Sequence, residues 1–205
     1  MPVTGHNAGM SCAGVVLTGG ASTRMGQDKA TMVLDGASAT LARRTARLLL
    51  QHTSPCVELG PGASGLPEVR DSGGGPLLAL AGAARLWESL PADGHVVVVA
   101  TDLPRLTGGL LAWLASHPAA GPVVPLDRGR RQPLCARYPV ADLRRTPAAV
   151  AAGVTALRVW LAGLEVHEAP RAEWGPAAGD LRALRDADTP SDLAALGAAG
   201  GRTEC

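Results

Sequence analysis

Residues 17–29 read Leu-Thr-Gly-Gly-Ala-Ser-Thr-Arg-Met-Gly-Gln-Asp-Lys, directly behind the apolar run that ends at Leu17. Gly19 and Gly20 free the backbone for positive φ and for close approach of a ligand, and successive N–H groups there supply anion-binding dipoles. Arg24 and Lys29 add full positive charges to the same stretch. A polyphosphate is the ligand that needs this combination, with Leu17, Thr18, Gly19, Gly20, Arg24 and Lys29 as its candidate binding residues. The spacing is neither GxxxxGK[ST] nor GxGxxG. A surface turn with two solvated cations is the plain alternative; the position behind a buried-strand pattern speaks against it.

Two carboxylates suit the same chemistry. Asp102 closes "VVVVATD" and Asp71 closes "LPEVRD", so a parallel sheet would bring both to one edge. Hard carboxylate oxygens fit Mg²⁺, which binds through one or two of them plus substrate phosphates. Asp102 could instead cap a helix, Asp71 could be a turn residue beside three glycines, and Asp28 could be an N-cap or a partner for Arg24. His52, His95, His117 and His167 fall at element ends or on strands, with no GxSxG-type nucleophile motif, and read as structural. A reaction whose nucleophile is itself a phosphate would need no such machinery: with a second pKa near ~6 a phosphate monoester is already an anionic nucleophile at neutral pH. Positioning, metal and cations then carry the reaction.

A second basic cluster, "DRGRRQPLCARY", offers Arg128, Arg130, Arg131 and Gln132. Arginine forks match phosphate geometry, so Arg130, Arg131 and Gln132 are candidates for an anionic acceptor; a solvated hairpin is the alternative.

The elements that must position these residues follow from patterning. "CAGVVLTGG" reads as a buried strand stopped by glycine, and "SATLARRTARLLLQH" as a helix opened near Ser38 or Thr40. "SPCVELG" is a second apolar segment, followed past a glycine-rich turn by the helix "PLLALAGAARLWESL". "HVVVVATDLP" has the continuous β-branched run of a strand covered on both faces, and "LTGGLLAWLASH" reads as the next helix. Then come strands in "GPVVPL" and "RQPLCARYPV", a helix in "TPAAVAAGVTALRVWLAG", a strand in "LEVHEA", a loop "PRAEWGPAAGD", and a helix start capped by Thr189, Pro190 and Asp192. Trp87, Trp113 and Trp160 lie in helical patterns and read as core, whereas Trp174 falls in the expected loop. The alternation predicts a three-layer, Rossmann-like α/β fold with a mostly parallel central sheet.

Composition narrows the function. Apolar residues make up 46% of 205 and charged residues 18%, which predicts one folded domain, with residues 1–12 as a flexible tail. Nineteen Lys and Arg against 18 Asp and Glu leave no global field for nucleic acid or anionic lipid, and 2% aromatics cannot build a base-stacking platform. Cys12, Cys56, Cys135 and Cys205 form no CxxC pair, and the first dozen residues lack a secretory pattern. The expectation is a cytoplasmic protein without nucleic-acid or membrane partners.

The stretch L-x-G-G-x-S-x-R-M-G-x-D-K resembles the mark of the MobA-like nucleotidyltransferases, matched by Leu17, Gly19, Gly20, Ser22, Arg24, Met25, Gly26, Asp28 and Lys29. "DSGGGPLLAL", "VVVVATDLP", "GRRQPL" and "DADTPSDL" extend the likeness in the family's order over nearly the whole chain, closest to its molybdenum cofactor guanylyltransferases. The sequence departs from the pattern at Thr18, where alanine is usual, and at Ala79, where G-P-L-x-G has glycine. The resemblance implies transfer of GMP from Mg-GTP to molybdenum-molybdopterin, with Arg24 and Lys29 on the triphosphate, Asp102 as a metal ligand and Asp71 as a ligand or near-ligand. It places the segment containing Arg131 and Gln132 near the acceptor, and implies transient contact with molybdoenzymes or their chaperones. Gly19-Gly20 is the form typical of guanylyl members, whereas cytidylyl relatives carry Ala-Gly. Transfer from CTP, transfer to another acceptor such as a sugar phosphate, and a non-catalytic nucleotide-binding accessory role are the alternatives; the intact Arg24, Lys29 and Asp102 set argues against the last.

Overall fold

In a computed structural model of the chain, the described residues are 12–19, 29–33, 38–70 and 73–187. The expected buried strand is β1 (Cys12–Leu17), so Cys12 belongs to the sheet and not to a tail. The valine run is β4 (His95–Ala100). Its side chains alternate between two cores, with Val96 and Val98 in one cluster and Val97 and Val99 in the other. Both faces are covered, which is why the run is apolar at every position.

The eight-stranded sheet is completed by β2 (Cys56–Leu59), β3 (Glu68–Val69), β5 (Val123–Asp127), β6 (Arg130–Arg131), β7 (Cys135–Pro139) and β8 (His167–Ala169). The order is β3-β2-β1-β4-β7-β5-β6, with β8 beside β5. Pairing is parallel from β3 through β4 and between β5 and β8; β7 runs antiparallel to β4 and to β5, and β6 antiparallel to β5. The expected strand "RQPLCARYPV" is thus two strands, β6 and β7, joined by a turn.

On one face pack α1 (Leu41–Leu50), α4 (Gly108–Ser116) and α8 (Arg171–Ala178), through Ala46, Leu49, Leu110, Leu114, Trp174 and Ala178. Thr40 and Thr107 cap the first two, their hydroxyls accepting from the N–H groups of Arg43 and Leu110. On the other face lie α2 (Pro76–Gly82), α3 (Ala84–Ser89), α5 (Val140–Leu143), α6 (Thr146–Ala151) and α7 (Leu157–Ala162), whose Leu77, Trp87, Leu143 and Trp160 fill the opposite core. These form the three layers.

Three local expectations are corrected. The helix expected over residues 76–90 breaks at Ala83 into α2 and α3, and that expected over residues 146–163 breaks around Gly153, at φ +88°, into α6 and α7. "PRAEWGPAAGD" is largely the helix α8 and not a loop: Trp174 is fully buried with its indole N–H donating to Leu126 O at 3.1 Å, Arg171 pairs with Asp127, and Gly179 closes the helix in the left-handed region at φ +68°. The capped segment at Thr189, Pro190 and Asp192 lies outside the described residues. Among the described residues no helix is long and apolar enough to cross a membrane.

The α4–α8 contact is close enough to demand glycine. A Cβ at Gly109 would lie 2.1 Å from Ala177 O, a backbone atom that cannot step aside. Gly109→Ala is expected to lower stability by about 1–3 kcal/mol. Gly82→Ala, with open space around the new Cβ, should leave stability unchanged or raise it by up to ~1 kcal/mol. Denaturant unfolding of the two variants beside the wild type measures the contrast.

Candidate active site

β1 and β4 are parallel neighbours with Leu17 level with Ala100. Thr18 and Gly19 therefore leave β1 where Thr101 and Asp102 leave β4, at the carboxyl edge where open α/β sheets bind ligands. Thr18 is buried, Gly19 exposed and Asp102 half-buried. Lys29 starts a single 3-10 turn, Lys29–Thr31. Gly20, Arg24 and Asp71, with Asp28, lie outside the described residues. β3, which precedes Asp71 in sequence, runs parallel to β2 with Val69 level with Leu59.

The Asp102 loop is held by its backbone. The Ala187 N–H donates to Asp102 O at 2.9 Å, and Arg44 Nη2 from α1 donates to Leu106 O at 2.7 Å. Arg105 Nε meets Asp180 Oδ2 at 2.5 Å. Arg44, Pro104, Arg105, Thr107 and Asp180 line a cleft of about 460 Å³ beside this loop. Burial, then the charge of Arg105, draws the Arg44 pKa down. The Cys135 thiol is pushed up to about 12 by burial and then by the negative charge of Asp102. Asp102 thus supplies a hard oxygen donor in reach of water at the strand end, and that donor chemistry fits Mg²⁺.

Sequence reading missed Glu58. This β2 carboxylate is fully buried, and it accepts from the Thr18 hydroxyl, the Gly62 and Ala63 N–H groups at 2.8 Å each, the Ser64 N–H at 2.7 Å and the Ser64 hydroxyl at 2.5 Å. Burial by itself would raise its pKa, but the bonds from Ser64, Thr18 and Ala63 outweigh it and hold the carboxyl below the ordinary 4.5. A Cβ at Gly60, φ +154°, would lie 2.0 Å from Thr18 Oγ1. Thr18, Glu58 and Gly60 therefore act as one unit joining the first loop to the turn after β2. The only signal in sequence was an acidic residue inside an apolar strand pattern.

Arg130 and Arg131 sit exposed on β6, with β7 and β5 between that strand and β4. Arg131 is engaged by Glu168, its Nε at 2.8 Å from Oε1. Gln132 lies closer to the strand end that carries Asp102: its N–H donates to Pro125 O at 2.9 Å, its carbonyl accepts from Cys135 N–H at 3.1 Å, and the adjoining Leu134 O accepts from Ala100 N–H at 2.7 Å. The structure thus brings Thr18, Gly19 and Asp102 together at one edge and places the two arginines at a distance along it.

These features define the class: a three-layer α/β protein of nucleotidyltransferase fold. Residues 14–166 match the family model described as MobA-like NTP transferase domain, and the chain belongs to that family. A Mycolicibacterium paratuberculosis protein named "Probable molybdenum cofactor guanylyltransferase" is 32% identical over 197 residues, covering 91% of this chain and 95% of that protein. A "Molybdenum cofactor guanylyltransferase" of Rhizobium johnstonii is 36% identical over 140 residues, 64% of this chain and 66% of that protein. The crystal structure of molybdopterin-guanine dinucleotide biosynthesis protein A from Archaeoglobus fulgidus shares the fold, with a TM-score of 0.71 at 23% identity over 91% of this chain and 97% of that one.

Glu58 makes stability pH-dependent with a definite sign. Its folded pKa lies below its unfolded value, so its contribution is present above about pH 4.5 and is lost as pH falls through the folded value. Glu58→Gln is expected to cost about 2 kcal/mol at neutral pH, because an amide cannot accept all five bonds. Its unfolding free energy should also fall less steeply than the wild type's on acidification, as read from urea unfolding between neutral pH and pH ~3.

Proposed function

We propose that this chain transfers GMP from Mg-GTP to molybdenum-molybdopterin, forming the guanine dinucleotide cofactor and pyrophosphate. The observation that carries the reading is the placement of the Thr18-Gly19 loop and Asp102 at adjacent ends of β1 and β4, in a chain whose relatives bear the guanylyltransferase name. In this reading Leu17, Thr18, Gly19 and Gly20 form the start of the triphosphate cradle, with Arg24 and Lys29 balancing phosphate charge. Asp102, joined by Asp71, would hold Mg²⁺, and the bound ion would supply positive charge beside the phosphates. The acceptor's terminal phosphate oxygen forms a bond to the α-phosphorus of GTP as the bond to the β-phosphate bridging oxygen breaks; pyrophosphate leaves with that electron pair.

No general base is required, because the attacking phosphate is already anionic. The chain's task is alignment: the pinned 102–107 loop fixes the carboxylate, and the Glu58 unit fixes where the first loop leaves β1. Arg130, Arg131 and Gln132 serve the acceptor side, with Gln132 nearest the centre. We place the enzyme in the cytoplasm as a single domain, where the buried free thiols Cys12, Cys56 and Cys135 stay reduced. The finished cofactor passes on through transient contact with a molybdoenzyme or its chaperone.

Purified protein incubated with Mg²⁺, molybdenum-molybdopterin and each of the four NTPs in turn is expected to release pyrophosphate with GTP. Product from CTP alone would overturn the guanylyl assignment. Asp102→Ala and Lys29→Ala are each expected to reduce turnover by roughly 10²–10³-fold with circular dichroism unchanged. Wild-type turnover in both variants would remove these residues from the site.

A further inference from the structure

We infer that His117, His167 and Glu173 form a second divalent-metal site, suited to a zinc-class ion, at the end of the sheet opposite Asp102. The three residues come from different elements: His117 caps the C-terminus of α4, His167 opens β8, and Glu173 lies in the first turn of α8. His117 Nε2 is 2.8 Å from Glu173 Oε1, and His167 Nε2 is 2.9 Å from the same oxygen and 3.2 Å from Oε2. One ligand atom from each residue lies within 4.8 Å of the other two.

The seat is rigid on its inner side. The His117 side chain is 8% exposed, and its ring meets Trp113 edge-on with centroids 4.9 Å apart. The backbone that carries it is fixed by the buried Arg137, whose guanidinium donates to both His117 O and Ala119 O. Toward water the cluster opens, since the side chains of His167 and Glu173 are 40% and 32% exposed. An ion has an entry path and room for a water ligand.

The donor set selects the ion. Two imidazole nitrogens and one carboxylate oxygen suit Zn²⁺, Ni²⁺ or Cu²⁺, whereas Mg²⁺ prefers oxygen and water. Three protein ligands with an open fourth position are a familiar zinc arrangement. Bonds of about 2.0–2.2 Å would set the donors roughly 3.3 Å apart in a tetrahedron, so the two imidazole–carboxylate contacts need to widen by about half an ångström, while the two imidazole nitrogens, within 4.8 Å of each other, settle to the same spacing. The Ala119 N–H donates to His117 Nδ1 at 3.2 Å, which leaves the ring proton of neutral His117 on Nε2, directed at Glu173. Ligation at Nε2 moves that proton to Nδ1 and breaks the Ala119 contact, a local signature of binding.

The site is separate from the edge that carries Asp102. α4 leads away from the Asp102 loop over nine residues, about 14 Å at 1.5 Å per residue. His167 pairs level with Val123, the first residue of β5, at the end of the sheet where β4 begins.

Metal-free protein titrated with Zn²⁺ by calorimetry, and with Co²⁺ by visible d–d absorption, tests the proposal in the presence of excess Mg²⁺ and without nucleotide. One equivalent should bind to the wild type and to Asp102→Ala alike, with the Ala119 amide resonance shifting on binding. Affinity should fall at least about 100-fold in His167→Ala and in Glu173→Gln, the second of which keeps the side-chain shape. Absence of stoichiometric binding to the wild type, or binding that either variant leaves unchanged, overturns the site whatever the outcome of the nucleotide experiments.

Discussion

The parallel pairing of β1 with β4 is the constraint on which the rest of this molecule depends. Six residue pairs run in register from Cys12 with His95 to Leu17 with Ala100. Side chains alternate across a strand, so a slip of one residue would turn Val96 and Val98 into the core that Val97 and Val99 fill. The same slip would displace Thr18 from Thr101 by about 3.3 Å along the strand. Core packing on both faces therefore sets the relative position of the first loop and Asp102. Gly14 shows how tightly this is specified: a Cβ there would lie 2.3 Å from Thr53 Oγ1 and 2.7 Å from Leu49 in α1.

Beyond the strand ends, regular structure stops and buried or half-buried charges take over. Glu58 gathers the turn of residues 62–64, and Arg44 and Arg105 tie down the loop after Asp102. Arg137 does the same at the opposite end, holding the segment of residues 117–119 through its carbonyls. Burying a charge is unfavourable unless hydrogen bonds replace its water. Loop N–H groups and carbonyls are available for that replacement because no helix or strand claims them. The two needs meet in the same bonds, which is why the charged residues lie under loops.

The sheet and its covering helices were legible because their signal is burial, and burial leaves a period in the sequence. β1, β4, α1 and α4 follow from apolar patterning, α1 also from its cap Thr40, and the charged glycine loop behind β1 pointed to the carboxyl edge. Strand direction left no such mark: Cys135–Pro139 reads the same whichever way it runs, and only the neighbouring strands make it antiparallel. α8 was read as a loop because Gly175 and Pro176 are turn residues locally, while the burial of Trp174 and the Arg171–Asp127 pair that hold it helical are tertiary. Glu58 was overlooked for the same reason. Its partners lie four to six residues ahead and forty behind, and no local pattern reports where a carboxylate's donors will come from.

Thr18 gains a different meaning from this arrangement. As a departure from alanine at the start of the glycine-rich loop, it invites the idea that its hydroxyl faces a ligand. The hydroxyl is instead buried and given to Glu58, and the space around it is kept by the missing Cβ of Gly60. An alanine at this position would leave Glu58 its bonds from Gly62, Ala63 and Ser64, and would keep the main-chain N–H donation to Leu59 O at 3.1 Å, but would remove the side-chain link between the two loops. The substitution therefore acts through the position and stiffness of the turn after β2, a main-chain effect transmitted by one buried carboxylate. Residues 18, 58 and 60 form a single physical contact: a donor, its acceptor and the space between them.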